Sequence, residues 1–167
     1  MSSTIDLSRL KWTKNVDNPD VWVYRHNEIS YPYLVPEFKL HWAKGEKANC
    51  GKPDIGDIIL LRQQTKVTHL VMPLDDQIGN VSNPTHPLIR RVQVLWIAPE
   101  SLHTPDAQIW DDALSQNDVF GFNVRLEGGD VMLLENIKAL TETFKDQGGL
   151  DAFQKRVAEK LGLKVYD

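Results

Sequence analysis

The chain has 167 residues, of which 41% are hydrophobic and 25% charged, and a formal net charge of −4. That size and balance support one folded domain with its own core, and they exclude a disordered or low-complexity chain. No apolar run approaches the roughly 18 residues that a membrane span requires, and the single cysteine, Cys50, excludes an internal disulfide or a zinc site built on cysteine pairs.

In chain order, residues 1–20 read as a polar entry segment anchored by Trp12 and closed by the turn Asp17-Asn18-Pro19-Asp20. Its start, MSSTIDLSRLKW, lacks the apolar core of a signal peptide, so a cytoplasmic location is expected. Val21 to Arg25 reads as a short strand with Trp22 and Tyr24 on one face. Pro32 and Pro36 argue against a long helix across the aromatic-rich stretch 30–42, leaving a short helix or strand near 37–43. Residues 43–56 are loop-forming and lead to Gly56-Asp57. The run Ile58-Ile59-Leu60-Leu61 suits a strand buried on both faces. Gln63 to Lys66 is a hairpin break, after which Val67 to Leu74 is a strand. Period two places Val67, His69 and Val71 on one of its faces and Thr68, Leu70 and Met72 on the other.

Residues 75–89 are turn-rich, and Arg90 to Ile97 is the clearest strand, with Val92, Val94 and Trp96 alternating against Arg91, Gln93 and Leu95. Residues 98–118 read as loop, with room for one or two helical turns in 107–114. Val119 to Leu126 reads as a strand ended by Gly128-Gly129, and Val131 to Leu134 fits either a return strand or the start of a helix. Leu133, Ile137, Leu140 and Phe144 mark a helix stopped by Gly148-Gly149; Leu150, Phe153, Val157 and Leu161 mark a second, with Gly162 as its C-cap. The expected fold is α+β: a small, mixed, partly closed β-barrel of five to seven strands with flanking C-terminal helices. Residues 1–167 form one domain, with 132–167 as a helical extension, and Ile59, Leu61, Val71, Val92, Val94 and Trp96 are expected in the core.

Signatures of common enzyme classes are absent: there is no G-x-S-x-G, no G-x-x-x-x-G-K and no H-E-x-x-H. The five histidines lack metal-ligand spacing, and the pairs Asp75-Asp76 and Asp111-Asp112 are read as solvated loop acids. No metal or cofactor is therefore expected, Cys50 is read as a structural thiol, and Asp57 is expected to fix the turn into its strand by accepting backbone hydrogen bonds. Charge is unevenly placed, with 10 basic and 8 acidic residues through Leu70 and 9 and 15 after it. Trp22, Tyr24, Tyr31, Tyr33, Phe38 and Trp42 fall in that mildly basic first part, beside Arg25, His26, Lys39 and His41. Aromatic rings next to cationic and amide groups suit a stacking pocket for a nucleobase, while the same rings are also ordinary core material.

From Trp42 to Asp76 the order of features is a tryptophan, a Lys44-Gly45 loop, Gly56-Asp57 opening Ile58 to Leu61, a short break, and Val67 to Leu74. This stretch resembles an EVE domain of the PUA-like superfamily, although Gly45 to Gly51 stands where that family typically carries Arg-Asn. The resemblance implies a PUA-like barrel that recognises a modified or flipped nucleic-acid base by aromatic stacking and a few polar contacts. On this reading the chain is a non-enzymatic binding module for single-stranded or base-flipped nucleic acid. Its ligand-binding candidates are Trp22, Tyr24, Trp42, Arg62, Gln64, Lys66, His69 and Arg91, with Arg90 as a further rim residue. Two alternatives stand beside it: a protein-interaction subunit that docks a partner through the acidic C-terminal half, and a barrel-fold nuclease using His69 or His26 as base.

Overall fold

The computed structural model describes residues 5–16, 24–32, 35–100, 110, 113–125 and 128–163. Among these, seven strands form one mixed sheet: β1 (Leu10–Asn15), β2 (Glu37–Trp42), β3 (Ile58–Gln63), β4 (Lys66–Pro73), β5 (Gly79–Asn80), β6 (Leu88–Ile97) and β7 (Val131–Leu133). The strand order is β2-β6-β4-β3-β1-β7, with β5 paired to one end of β6. β1 runs parallel to β3 and every other pairing is antiparallel. Four helices complete the described chain: α1 (Lys47–Cys50), α2 (Gln116–Phe120), α3 (Lys138–Phe144) and α4 (Leu150–Leu161).

The sheet curls into a partial barrel because three bulges bend its strands. Each bulge also exchanges the faces of the residues on either side of it. At Lys11 the irregularity sends Leu10 to the core beneath the helices and Trp12 to the concave core. At Thr68 it separates Val67, which packs under the helices, from His69, which faces inward. At Leu95 it turns Trp96 away from Val92 and Val94. The shared face expected for Val67 with His69, and for Trp96 with Val94, is thereby corrected: strict alternation fails wherever an extra residue enters one strand. Ile59, Leu61, Val71, Val92 and Val94 are buried as expected, and Trp96 is half-buried.

The two edge strands meet through one side chain. Asn49 of α1 accepts a hydrogen bond from the Trp42 indole Nε1 on β2 (2.9 Å) and another from the Val131 amide on β7 (2.8 Å). Its own Nδ2 donates to the Val131 carbonyl (3.1 Å). Asn49 thus mimics a strand residue toward β7 while holding β2, and it is buried. Lys14 of β1 donates to the Gly129 carbonyl and lies over the Trp42 ring, 4.7 Å from its centroid.

Gly56-Asp57 is structural, as its place before β3 suggests. Gly56 has φ +91°, and a Cβ there would collide with the Arg9 guanidinium. Asp57 accepts from the Asp54 amide (3.0 Å) and from the Trp12 indole (2.9 Å), which ties the turn to β1. Residues 1–20 are expected to be a polar entry segment; Leu10–Asn15 is instead an interior strand between β3 and β7. The expected strand Val119 to Leu126 is likewise not found among its described residues, 119–125. Ser115 accepts from the Asp118 amide as an N-cap, and Gly121 closes α2 in the left-handed region at φ 85°. The sheet also reaches into the stretch read as a helical extension, since β7 ends at Leu133 and α3 starts only at Lys138. The last helix and its Gly162 cap match the sequence pattern. Of the expected strand Val21 to Arg25, residues 21–23 lie outside the described residues, and Tyr24 and Arg25 belong to no strand; of the expected helical turns over 107–114, only 110, 113 and 114 are described, and none of them is helical.

Candidate functional site

Tyr24 and His69 come together at one end of the concave core. Tyr24 has φ 61°, an unfavourable backbone for a bulky residue, and it is held at both ends. Its hydroxyl accepts from the His41 amide (3.0 Å), and its carbonyl is 2.8 Å from His69 Nε2. Its ring stacks on Phe38 with centroids 4.3 Å apart, and burial drives its phenol pKa up. His69 is 1% exposed and sits edge-on to Phe38 and Trp110. A carbonyl accepts only, so Nε2 carries the proton; Nδ1 then accepts from the Thr68 hydroxyl at 2.7 Å. Burial depresses the His69 pKa to about 4, against a smaller opposing effect of the Tyr24 carbonyl. His69 is therefore a neutral core histidine with both nitrogens occupied, and neither is open to a substrate. His26 caps this end, its ring tilted against Trp110 at 6.4 Å and its Nε2 3.4 Å from the Ala98 carbonyl.

The other sequence candidates are dispersed. Trp42 is fully buried in the seam and offers no stacking face. Arg62 is 2% exposed: Nε donates to Thr13 Oγ1 (3.0 Å), Nη1 donates to Gln116 Oε1 (3.1 Å), and burial lowers its pKa to about 10. Gln64 lies in the two-residue β3–β4 turn, where it and Thr65 have φ of 48° and 66°, as a type I′ hairpin demands. Lys66 opens β4 beside that turn. Arg91 grips Glu37 with Nε and Nη2 (3.1 and 3.3 Å) and reaches Asp75 with Nη1 (3.2 Å). Arg90 is buried and donates to the carbonyls of Cys50, Pro53 and Asp75, which makes it a stitch between loops instead of a rim residue. Cys50 is buried with its thiol pushed up to about 11, unsuited to nucleophilic work. Trp22 lies outside the described residues.

A groove of about 640 Å³ opens elsewhere, beside the β2–α1 connection. Lys44, Gly45 and Lys47 line one part, and Asn80 to Pro84, Pro87 and Leu88 line the rest. The two segments are joined by backbone: the Lys44 amide donates to the Thr85 carbonyl (2.9 Å), and His41 Nδ1 donates to the His86 carbonyl (2.8 Å). Lys44 and Lys47 are exposed, and the lining holds no carboxylate and no histidine. No family model, curated protein or solved structure matches this chain. Sequence reasoning marked the Lys44-Gly45 loop and the turn-rich stretch 75–89 but not their meeting. The one local signal was Asn83-Pro84, a dipeptide that initiates turns.

Among the described residues no group of three His, Cys, Asp or Glu side chains is placed to hold a metal ion, and no helix is long and apolar enough to cross a membrane.

Proposed function

We propose that this chain is a non-catalytic binding module for nucleic acid, with the groove between Lys44–Lys47 and Asn80–Leu88 as its site. The observation that carries this reading is the lining of the groove: two exposed ammonium groups and several amide and hydroxyl side chains, with no acid–base pair. Such a surface supplies hydrogen-bond donors and positive charge, which suit the binding of an anionic ligand. The lysines also stand against the sign of the whole chain, which is −4, so the positive field is local. The nuclease alternative loses support from His69, whose nitrogens are both engaged in the core.

A groove of small-ligand size admits a segment of single strand more readily than the face of a duplex. The EVE-like and PUA-like character implied by residues 42–76 agrees with such a ligand. Recognition of a modified or flipped base, as that resemblance implies, needs an exposed ring, and neither Tyr24 nor Trp42 presents one. Anisotropy titration with labelled single-stranded RNA and DNA and with the matching duplexes tests the reading. Saturable binding of a single strand, tighter than of its duplex, is expected; no binding to any of these overturns it.

A further inference from the structure

Resting on the nucleic-acid reading, we infer that the groove is a phosphate site, in which Lys44, Lys47 and the Asn83 amide group grip phosphoryl oxygens of a single strand and no base is read. Asn83 is held by its own loop. Its Oδ1 accepts from the Thr85 amide (3.0 Å), the Thr85 hydroxyl (3.3 Å) and the His86 amide (2.9 Å). Turning the amide over would set its NH2 against two backbone N–H groups, so its orientation is fixed. The oxygen is consumed within the loop, while Nδ2 makes no hydrogen bond among the described residues. Asn83 therefore has only donors left to offer a ligand in the groove it lines.

Lys44 and Lys47 are donors only, whatever their rotamers, and both are free of ion pairs among the described residues. Glu46, which lies between them in the chain, is not part of the lining; the neighbouring Asp130 carboxyl raises its pKa. These three side chains thus require a ligand that accepts hydrogen bonds and carries negative charge, which describes a phosphoryl group. A nucleobase edge mixes donors with acceptors, and among the described residues the groove holds no aromatic side chain on which a base would stack. The loop that carries Asn83 is also fixed in advance, through Asn83 N to Val81 O (3.0 Å), Val81 N to Pro87 O (2.8 Å) and the two contacts with β2 and Lys44. Little ordering is left to be done on binding.

Asn83→Asp is the sharpest variant. A carboxylate keeps the acceptor that the Thr85 and His86 amides need, so the loop and the melting temperature hold, but it replaces the donor with a negative charge. Affinity for a single-stranded oligonucleotide should fall by about tenfold or more. The double variant Lys44→Ala/Lys47→Ala, which touches no loop hydrogen bond, should weaken binding and reduce the slope of log K against log salt by about 1.4, or 0.7 per lost phosphate contact. Inorganic phosphate and a nucleoside monophosphate serve as competitors in the same titration. Competition by either, with loss in both variants, supports the site. Binding of phosphate without binding of strands supports the phosphate site and overturns the nucleic-acid reading. Strand binding that neither variant weakens overturns the phosphate site and leaves the nucleic-acid reading standing, and absence of binding by every probe overturns both.

Discussion

The cluster around Tyr24 and His69 and the groove around Lys44 and Asn83 make an instructive pair. The first holds the residue types most often found in active sites: a tyrosine, a histidine and stacked rings. Yet the polar atoms of Tyr24 and His69 are consumed within the fold. The Tyr24 hydroxyl is taken by the His41 amide, its carbonyl by His69 Nε2, and His69 Nδ1 by Thr68. The second holds an ordinary set of loop residues, and its donors are turned outward. Buried polar groups must be satisfied internally, so chemically rich residues at a curved sheet's core become structural. Binding capacity then remains where donors are left over.

This contrast yields tests in descending order of effect. The largest concerns the seam. Asn49→Leu strands the Trp42 indole N–H and the Val131 amide, two buried donors, and should cost roughly 2–5 kcal/mol in urea unfolding. A loss under about 1 kcal/mol would mean that the edge strands are held by other contacts.

The second concerns pH. His69 has a folded-state pKa of about 4, below the unfolded value near 6.5. The unfolded chain therefore binds the extra proton first as pH falls, and stability declines from about pH 6.5 down to about pH 4. The contribution approaches roughly 3 kcal/mol at the lower end. Above pH 6.5 His69 adds no pH dependence. The His69→Gln variant should be less stable at neutral pH yet show a flatter decline over that window; an unchanged decline would place the ring in contact with solvent.

The third is Asp57→Ala, which strands the Trp12 indole and frees the Asp54 amide, for a loss of about 1–2 kcal/mol. The smallest is Lys44→Ala/Lys47→Ala. These side chains are exposed and should alter unfolding free energy by no more than about 0.5 kcal/mol. A large loss there would make the groove part of the framework and erase the distinction between the two regions.

The sequence made the inner strands and the last helix readable for plain physical reasons. Ile58 to Leu61 is apolar on both faces because the helices cover one side and the concave core the other. The Leu150, Phe153, Val157 and Leu161 spacing with Gly162 defines one helix. β1 was hidden because Lys11, Lys14 and Asn15 give it a polar composition, although Lys14 is buried in the seam, and because its pairing with β3 is parallel and non-local. α2 was hidden because Val119 and Phe120 resemble strand residues unless Ser115, Asp118 and Gly121 are weighed as caps. The bulges at Lys11, Thr68 and Leu95 leave no trace in composition, yet each reverses a face. The groove was illegible for a related reason. Lys44 and Asn83 are 39 positions apart, and only the pairing of β2 and β6 brings their loops together.

The division between a structural cluster and a binding groove is tested most directly by amide and indole NMR spectra recorded while a single-stranded oligonucleotide is added. Shifts are expected to be confined to the Lys44–Lys47 and Asn80–Asn83 amides and the Asn83 side-chain NH2, with the His69, Tyr24 and Trp42 signals unmoved. Shifts centred on Tyr24, His69 and Trp110, with the groove silent, would contradict that division.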